Sequence, residues 1–492
     1  MKLKETLIGL EGLKAKGNLD IDITGIESNS KNIQEGNMFV AISGSEVDGH
    51  DFISDAIDNG AKVVLIEEGC DLKKIKLKKD VTLVMAPNTR VALAYTSSNF
   101  YGNPTKKFKL IGITGTKGKT TTSFMIKQIL EKAGKSVGLI GTIGTYINNN
   151  KITENNRTTP ESVELQKMFA HMAEENVEYV IMEVSSQSLK MHRVDNCYFD
   201  IVAFTNFSED HISEKEHANM QEYFETKLEL FKMCNTGFTN ADDLYGAKIL
   251  TLFPESDITA YGIDNYANIM ARDITVANTY ADFRTKLTDR NERIKVGIPG
   301  RYSVYNALLA IAICKKLGID AESIREGLED IKVPGRNEIV ENKKEIPIMI
   351  DYAHSPKSLQ SILETAKKYT QGRVICVFGC GGDRDKTKRP IMGEISGKYA
   401  DYTIITSDNP RSEDPEEIIK EIEDGIKNTK KEYKTITNRK EAIEYAINMA
   451  NKRDLIVLAG KGHETYQEIN GEKYPFDERE VVKELIKNKK QK

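Results

Sequence analysis

A glycine turn between an apolar strand and a helix constrains the fold of this chain more than any other feature. The apolar run Leu110-Ile-Gly-Ile-Thr114 leads into Gly115-Thr-Lys-Gly-Lys119, and the helix that follows continues to about Ala133, where Gly134 ends it. Backbone N–H groups at such a turn, with the positive end of the helix dipole, bind polyphosphate. The turn therefore predicts a nucleotide-binding α/β domain.

Within the turn, Lys119 is expected to reach the β- and γ-phosphates and Thr120 to bind Mg²⁺. The sequence departs from the strict GxxxxGK[ST] pattern because Ile113 stands where the first glycine belongs. The alternative interpretation is an ordinary strand-to-helix turn with a solvated lysine. The strand before the turn and the helix after it favour phosphate binding.

The 492 residues exceed what one hydrophobic core usually serves, and about 150 residues per domain suggests three domains. The turn-forming stretch Tyr101–Lys107 and the segment Val333–Asn337 interrupt the rhythm of strands and helices. We therefore predict an α/β protein with a small N-terminal domain (1–105), a central P-loop domain with a parallel sheet (106–336) and a Rossmann-like C-terminal domain (337–492).

Composition narrows the class of protein. The net charge of −4 argues against bulk nucleic-acid binding, and the six cysteines form no CxxC pair, which argues against a zinc site or a disulfide framework. The first ten residues lack the apolar stretch of a signal peptide, and no run of 18 apolar residues occurs later. We therefore expect a cytoplasmic protein with no membrane or nucleic-acid partner.

The phosphate loop begins an ordered series of motifs that resembles the Mur ligases and, in the loop itself, the folylpolyglutamate synthetases. Lys117 stands where those families usually have Asn. The further matches are Met182-Glu-Val-Ser-Ser186, Thr205-Asn-Phe-Ser-Glu-Asp-His211, Tyr223-Phe-Glu-Thr-Lys-Leu228, Val333-Pro-Gly-Arg336, Asp351-Tyr-Ala-His354, Gly379-Cys-Gly-Gly-Asp-Arg-Asp385, Asp408-Asn-Pro-Arg411 and Gly460-Lys-Gly-His-Glu464.

The resemblance covers nearly the whole chain and is closest to the Mur ligases that add the third amino acid. It implies ATP-dependent addition of meso-diaminopimelate to the D-Glu of UDP-MurNAc-L-Ala-D-Glu through an acyl phosphate. It also implies Mg²⁺ as cofactor, a place in cytoplasmic peptidoglycan precursor synthesis, and a monomer.

Four residues are expected to be catalytic: Lys119, Glu183, His211 and Lys227. Glu183 and His211 each follow an apolar strand, and open α/β sheets have their sites at the carboxyl ends of strands. The resemblance implies that Thr120, Glu183, His211 and Lys227 bind metal, the last as a carbamate formed with CO₂. It implies that ATP is bound by Gly115, Thr116, Lys117, Gly118, Lys119, Thr120, Thr121, Asn306, Arg336 and Asp351.

The resemblance also implies two sets of substrate residues. Those for the UDP-MurNAc-dipeptide are Ser28, Ser30, Thr158, Thr159, Ser185 and Arg193, with Lys31 and Arg157 departing from the family pattern. Those for the incoming amino acid are Arg389, Asp408, Asn409, Pro410, Arg411, Gly460 and Glu464. A guanidinium can grip a carboxylate through two parallel hydrogen bonds, so Arg411 is expected to select diaminopimelate by its distal carboxylate.

Three alternatives stay open on the sequence alone. The same step with L-lysine or meso-lanthionine needs only a different amino acid. A P-loop kinase would phosphorylate a small molecule stably, and a non-catalytic scaffold would bind nucleotide without turnover. Phosphate release that depends on both acceptor and amine separates the ligase from the other two classes.

Overall fold

The computed structural model describes residues 1–44, 47–71, 77–209, 212–213, 216–340, 342 and 346–488. His211, one of the residues expected to bind metal, lies outside this part of the chain. The chain divides into two compact units, Met1–Ile269 with Leu309–Asp320 and Met270–Leu308 with Ala321–Lys492. Each unit is described by itself below.

The first unit begins with a five-stranded sheet of order β1-β5-β4-β3-β2. Strands β2 to β5 are parallel, and β1 pairs antiparallel to β5. Most residues of β3, β4 and β5 are buried, whereas β1 is exposed. The strands are β1 (Lys14–Lys16), β2 (Ile26–Glu27), β3 (Met38–Val40), β4 (Val63–Glu67) and β5 (Thr82–Ala86), and the helices are α1 (Leu3–Thr6), α2 (Ile53–Asp58) and α3 (Thr89–Phe100).

A nine-stranded sheet of order β14-β13-β12-β11-β6-β10-β7-β8-β9 forms the rest of the first unit. Strand β6 lies in the interior between β11 and β10 and is parallel to both. The strands are β6 (Lys109–Thr114), β7 (Val137–Gly141), β8 (Gly144–Ile147), β9 (Asn150–Thr153), β10 (Tyr179–Glu183), β11 (Ile201–Phe204), β12 (Thr236–Asn240), β13 (Asp257–Gly262) and β14 (Ile269–Met270).

Helices cover this sheet, and their apolar faces form one core with its strands. Phe169, Met172, Phe224 and Phe231 are buried there beside the strand residues Val180 and Val202. The helices are α4 (Lys119–Lys132), α5 (Ser162–Glu174), α6 (Ser186–Lys190), α7 (Met220–Lys232) and α8 (Leu244–Leu252). The residues of α9 (Arg301–Lys316) are divided between the two units, and α10 (Ala321–Glu329) belongs to the second unit. Gly134 has a φ of 75° just beyond α4, which agrees with the predicted helix end.

The second unit starts with a sheet that the predicted alternation of strands and helices did not include. Strands β15 (Arg272–Val276), β16 (Ala281–Lys286) and β17 (Asn291–Val296) pair antiparallel. Burial alternates along β16, with Ala281, Phe283 and Thr285 inside. A half-buried antiparallel sheet therefore interrupts the parallel pattern that we predicted for 106–336.

The C-terminal sheet has the order β18-β19-β23-β20-β21-β22 and is parallel except for β18. Helices on both faces bury two apolar clusters, as a doubly wound fold requires. The strands are β18 (Glu338–Ile339), β19 (Ile348–Asp351), β20 (Val374–Phe378), β21 (Tyr402–Ile405), β22 (Tyr433–Thr435) and β23 (Leu455–Ala459), with the hairpin β24 (Tyr466–Ile469) and β25 (Glu472–Pro475). The helices are α11 (Pro356–Tyr369), α12 (Lys388–Tyr399), α13 (Pro415–Ile426), α14 (Arg439–Met449) and α15 (Glu478–Asn488).

Among the described residues, no helix is long and apolar enough to cross a membrane.

Candidate active site

The phosphate loop joins β6 to α4 at the interior of the nine-stranded sheet. Gly115 has a φ of 133° and Gly118, which caps α4, a φ of 87°. A Cβ on Gly115 would come within 2.0 Å of Thr205 Oγ1, so only glycine fits there. The glycines of the predicted motif are therefore required by backbone conformation and by close packing.

Asn206 holds this loop in place, a role that sequence reasoning missed. Its carbonyl accepts a hydrogen bond from Thr116 N (2.8 Å) and its Oδ1 accepts one from Lys117 N (3.0 Å). The ammonium of Lys119 donates to the carbonyls of Gly115 (2.8 Å) and Thr116 (3.1 Å). The only signal for Asn206 was its position in the motif that begins at Thr205, directly after β11.

Glu183 is fully buried at the carboxyl end of β10 and receives three hydrogen bonds. Its Oε2 accepts from Thr120 Oγ1 (2.9 Å) and Thr142 Oγ1 (3.1 Å), and its Oε1 accepts from Thr142 N (2.9 Å). Two of the predicted metal ligands, Thr120 and Glu183, are thus in direct contact. Thr142, which was not predicted, follows the carboxyl end of β7, where the sheet rule could have found it.

The donor set fits a hard divalent cation, because a hydroxyl and a carboxylate are the oxygen ligands that Mg²⁺ takes in nucleotide sites. Among the described residues, no group of three His, Cys, Asp or Glu side chains is arranged to hold a metal ion. A magnesium site here would therefore draw on Thr120 and Glu183 and on the substrate phosphates.

Lys227 is nearly fully buried on α7, and its ammonium donates to the carbonyl of Gly115 at 3.1 Å. It also lies 4.4 Å from the centroid of the Tyr223 ring. Because Lys119 donates to the same carbonyl oxygen, two lysine side chains meet at one point of the phosphate loop. Helix α7 thus brings the Lys227 side chain to the phosphate loop.

Three of the residues expected to bind the muramyl peptide also come together. Thr159 Oγ1 donates to the carbonyl of Glu183 (2.8 Å) and accepts from Ser185 N (3.1 Å), and Arg193 Nη1 donates to the carbonyl of Thr159 (3.2 Å). Burial lowers the pKa of Arg193, and Glu161, at 2.9 Å, opposes that effect. Thr158 joins the cluster through Thr142, with the two hydroxyls 3.0 Å apart.

Ser28 and Ser30, expected to contact the uridine nucleotide, lie beside β2. Ser30 is buried and starts a short 3₁₀ turn, and its carbonyl accepts a hydrogen bond from Asn59 Nδ2 at 3.0 Å. Ser28 is half-buried. The turn that begins at Ser30 is therefore fixed to the end of helix α2.

In the second unit, two residues expected to bind ATP lie on adjoining segments. Asp351 ends β19, and its Oδ2 accepts from Asn337 N at 2.8 Å. The guanidinium of Arg336 lies 5.1 Å from the ring centroid of Tyr352. Arg336 Nε is buried with no hydrogen-bond acceptor among the described residues. Asn306 is half-buried on α9.

The amino-acid residues Asp408 to Arg411 form the turn after β21. Arg411 has a φ of 51°, and the backbone pairs with the β24 hairpin, because its N–H donates to the carbonyl of Glu468 and its carbonyl accepts from Asn470 N. Its Nε donates to Glu468 Oε2 (3.1 Å) and its Nη1 to the carbonyl of Gly382 (2.7 Å). The side chain is thereby fixed in one direction.

Asn409 and Glu464 are in contact, since Asn409 Nδ2 donates to Glu464 Oε2 at 2.8 Å. Gly460, with a φ of 114°, lies against Asp408, and a Cβ there would approach Asp408 Oδ2 to 2.7 Å. The predicted amino-acid residues from two separate loops thus form one cluster. Pro410 lies within the same turn, and its carbonyl packs against Gly382, where a Cβ would come within 1.8 Å.

Arg389 was also expected to hold the amino acid, and its surroundings are different. The side chain is fully buried, and its guanidinium donates to Glu413 (2.9 and 3.0 Å), to Glu421 Oε2 (2.6 Å) and to the carbonyl of Gly381 (3.2 Å). The Arg389 guanidinium lowers the pKa of Glu413 to about 2. A substrate carboxylate would compete with two glutamates for Arg389.

Comparison with known proteins gives the same organisation from end to end. Residues 22–101 match the Mur ligase family catalytic domain, residues 113–314 the Mur ligase middle domain, and residues 335–462 the Mur ligase glutamate ligase domain. The UDP-N-acetylmuramoyl-L-alanyl-D-glutamate–2,6-diaminopimelate ligase of Caldanaerobacter subterraneus subsp. tengcongensis is 47% identical over 487 residues, 99% of each chain.

The chain belongs to the Mur ligase family.

Solved structures agree with this assignment. A structure of a UDP-N-acetylmuramoyl-L-alanyl-D-glutamate–2,6-diaminopimelate ligase aligns with a TM-score of 0.72 and 26% identity, covering 100% of this chain and 99% of that one. The MurF ligase of Thermotoga maritima in complex with ADP shares the fold at a TM-score of 0.59 and 20% identity, covering 89% of this chain and 94% of that one. The predicted Mur-type α/β fold with three domains is confirmed.

Proposed function

We propose that this Mur ligase adds meso-2,6-diaminopimelate to the D-glutamate carboxylate of UDP-MurNAc-L-Ala-D-Glu, with ATP as the energy source. The observation that carries the proposal is the likeness, over 99% of both chains, to a relative named for that reaction. The cluster around Asn409, Arg411 and Glu464 supports it, because it offers both a guanidinium and a carboxylate to a zwitterionic substrate.

The first chemical step activates the acceptor. An oxygen of the D-glutamate carboxylate attacks the γ-phosphorus of ATP, the bond to the β–γ bridging oxygen breaks, and ADP leaves. The phosphate loop and Lys119 would hold the phosphates and offset the charge that develops during transfer. Thr159, Ser185 and Arg193, clustered against the end of β10, would hold the acceptor peptide beside them.

Thr120 and Glu183 would hold Mg²⁺ together with His211, and the ion would neutralise phosphate charge during the transfer. In this proposal Thr142 keeps the Glu183 carboxylate in one orientation through two hydrogen bonds.

Lys227 is proposed to carry a carbamate. A buried ammonium beside Lys119 and a divalent cation would face two positive charges, which disfavours its charged form. The ammonium first loses one proton. The neutral amine then forms an N–C bond with CO₂ and releases a second proton, so a cation becomes an anion. The convergence of Lys119 and Lys227 on the Gly115 carbonyl supports this proposal, because the anion would relieve the repulsion.

The second step forms the amide. The deprotonated amine of the amino acid attacks the acyl carbon, and inorganic phosphate leaves. Glu464 would hold the ammonium before its deprotonation, and Arg411 would hold the distal carboxylate. We propose further that Asn306, Arg336 and Asp351 contact ATP, that Ser28 and Ser30 contact the uridine nucleotide, and that the enzyme acts in the cytoplasm as a monomer.

One assay tests the function. Phosphate release is measured with ATP, Mg²⁺ and UDP-MurNAc-L-Ala-D-Glu against meso-diaminopimelate, L-lysine, L-ornithine and meso-lanthionine, with product masses recorded. We expect release only when acceptor and amine are both present, and the highest kcat/KM with meso-diaminopimelate. ADP formation without phosphate release would indicate a kinase, and equal use of L-lysine would overturn the assigned substrate.

A further inference from the structure

We propose that Lys461 is a positioning residue for the incoming amino acid, acting through Asn409 and Glu464 without touching the substrate. The proposal rests on the proposed function, because it takes the Asn409 and Glu464 cluster to be the amino-acid site. Lys461 directly follows Gly460 in the loop after β23 and is fully buried. A buried ammonium is costly unless it is paired, so its contacts indicate what it is for.

Among the residues that the structure describes, the ammonium of Lys461 has two hydrogen-bond partners, and both belong to the cluster. It donates to Asn409 Oδ1 at 3.0 Å and to Glu464 Oε2 at 3.1 Å. The ring of Tyr466 lies further away, at 5.8 Å from the ammonium to the ring centroid. Lys461 therefore connects the turn after β21 with the loop after β23.

Lys461 helps to fix the orientation of the side-chain amide of Asn409. Asn409 Oδ1 accepts from Lys461 Nζ and also from Glu468 N at 3.0 Å, and both of these groups can only donate. The amide oxygen must therefore face them, which turns Nδ2 toward Glu464 Oε2 at 2.8 Å. Without Lys461, one of the two groups that fix this orientation is lost.

Lys461 also fixes the carboxylate of Glu464. Oε2 accepts hydrogen bonds from both Lys461 and Asn409, whereas Oε1 has no hydrogen-bond donor among the described residues. The carboxylate is thus anchored by one oxygen and can present the other to the ammonium of a substrate. Charge-assisted hydrogen bonds of this kind are short and directional, which suits an anchor.

The test compares Lys461→Met, which keeps most of the length of the side chain and removes its charge, with Lys473→Met. Lys473 is exposed on β25 and lies over the same Tyr466 ring at 4.1 Å. For Lys461→Met we expect the KM for the amino acid to rise about tenfold or more, the size of a lost hydrogen bond to a charged group. The KM values for ATP and the UDP-linked acceptor should stay within about twofold, since Lys461 acts only through the amino-acid residues.

A double-mutant cycle distinguishes a positioning role from a merely structural one, because it measures the coupling between the KM effects of two substitutions. Because Lys461 acts through Glu464, the KM effects of Lys461→Met and Glu464→Gln should be strongly non-additive. If Lys461→Met does not fold, Lys461→Gln replaces it. Because glutamine retains a hydrogen-bond donor, we expect its KM for the amino acid to rise by less than the roughly tenfold expected for Lys461→Met. In Lys461→Ala, ethylammonium should restore part of the activity and ethanol should not.

The role of Lys461 would be overturned if the KM effects of Lys461→Met and Glu464→Gln simply multiply in the double mutant. Equal increases in the KM values for the amino acid, ATP and the UDP-linked acceptor would also overturn it. The proposed function fails separately, when the unmutated enzyme shows no amine-dependent phosphate release. If the unmutated enzyme prefers another amino acid, the double-mutant cycle is measured with that amino acid. The same two outcomes then support or overturn the role of Lys461.

Discussion

At the scale of single residues, the phosphate loop offers the sharpest test of catalysis. Lys119 is the first residue of α4 and donates to the loop carbonyls of Gly115 and Thr116. We expect Lys119→Ala to lower kcat by about 100-fold or more, as for other lost electrostatic contacts to a transition state. Steady-state phosphate release measures the effect, and circular dichroism checks the fold.

Lys132→Ala is the matched control, because Lys132 is an exposed lysine at the other end of the same helix. Its activity should equal that of the unmutated enzyme. Lys119→Ala activity within tenfold of the unmutated enzyme would contradict the phosphate-loop assignment.

The residues that sequence reasoning found are those whose chemistry is local. The conformation of Gly115 and Gly118 follows from a turn of five residues, and the sequence contains all of it. Thr142 and Asn206 make contacts with residues from other parts of the chain. Thr142 N donates to Glu183 Oε1 at 2.9 Å, and Asn206 Oδ1 accepts from Lys117 N at 3.0 Å. Their contacts depend on which strands are neighbours, and the sequence alone does not fix that order.

At the scale of secondary-structure elements, helix α7 determines the position of the Lys227 side chain. The helix buries Tyr223, Phe224, Leu230 and Phe231 against the sheet, which fixes the direction in which Lys227 points. We expect Lys227→Ala to be nearly inactive and to regain part of its activity with short carboxylic acids, which could take the place of the carbamate. Phosphate release with and without formate or acetate measures this.

Lys232→Ala, at the exposed end of the same helix, is the control. Its activity should equal that of the unmutated enzyme, with or without formate or acetate. A crystal structure with nucleotide and Mg²⁺ that shows an unmodified Lys227 directed away from the phosphates would refute the carbamate. So would full activity of Lys227→Ala.

The turn after β21 and the β24–β25 hairpin together position Arg411. Because Glu468 and Gly382 fix the guanidinium, its remaining nitrogen can meet a substrate carboxylate without rearrangement. We expect Arg411→Ala to raise the KM for meso-diaminopimelate about tenfold to 100-fold, with the KM for ATP unchanged. L-Lysine, which lacks the distal carboxylate, should be affected much less.

Arg384→Ala serves as the control, since Arg384 is an exposed arginine in the neighbouring glycine loop. Kinetics with both amino acids on all three proteins give the comparison. A mutant that keeps the preference of the unmutated enzyme would remove Arg411 from the specificity site.

The elements that were predicted correctly are those with continuous apolar runs. The apolar run Leu110–Thr114 was predicted as a strand, and it lies in β6, where every residue but the first is buried. The sheet of β15 to β17 was missed because its strands are polar on one face and carry charges such as Arg284 and Lys295. Such strands give a weak signal, since only alternate residues are apolar.

At the scale of the whole molecule, each of the two units has its own hydrophobic clusters, so each should lose structure under its own conditions. The buried Arg389 and the partly exposed Glu413 and Glu421 join α12 to α13 and the turn before it, all within the second unit. This arrangement allows one substitution to report on one unit.

Arg389→Met should therefore destabilise the second unit alone. Removing Arg389 takes one ion-pair partner from Glu413 and from Glu421. Their side chains are 17% and 39% exposed and Glu413 keeps Lys386, so the cost should lie below the roughly 3–5 kcal/mol of a fully buried pair. Amide hydrogen exchange followed by mass spectrometry should show faster exchange in β20, β21 and α13, with β6 and β10 unchanged. Lys386→Met is the matched control, because Lys386 pairs with the same Glu413 but is exposed.

The same substitution has a defined pH dependence. The pKa of Glu413 falls from its ordinary 4.5 to about 2 in the folded protein, so the pair stabilises the fold fully above pH about 4.5. That stabilisation is lost as the pH falls toward about 2 and Glu413 becomes protonated in the folded state as well. The difference in unfolding free energy between the unmutated enzyme and Arg389→Met should therefore be largest near pH 7 and shrink between pH about 4.5 and about 2. Urea unfolding of the second unit across this range measures it. A difference that stays constant with pH would show that Arg389 stabilises the fold through its packing and not through the charge of Glu413.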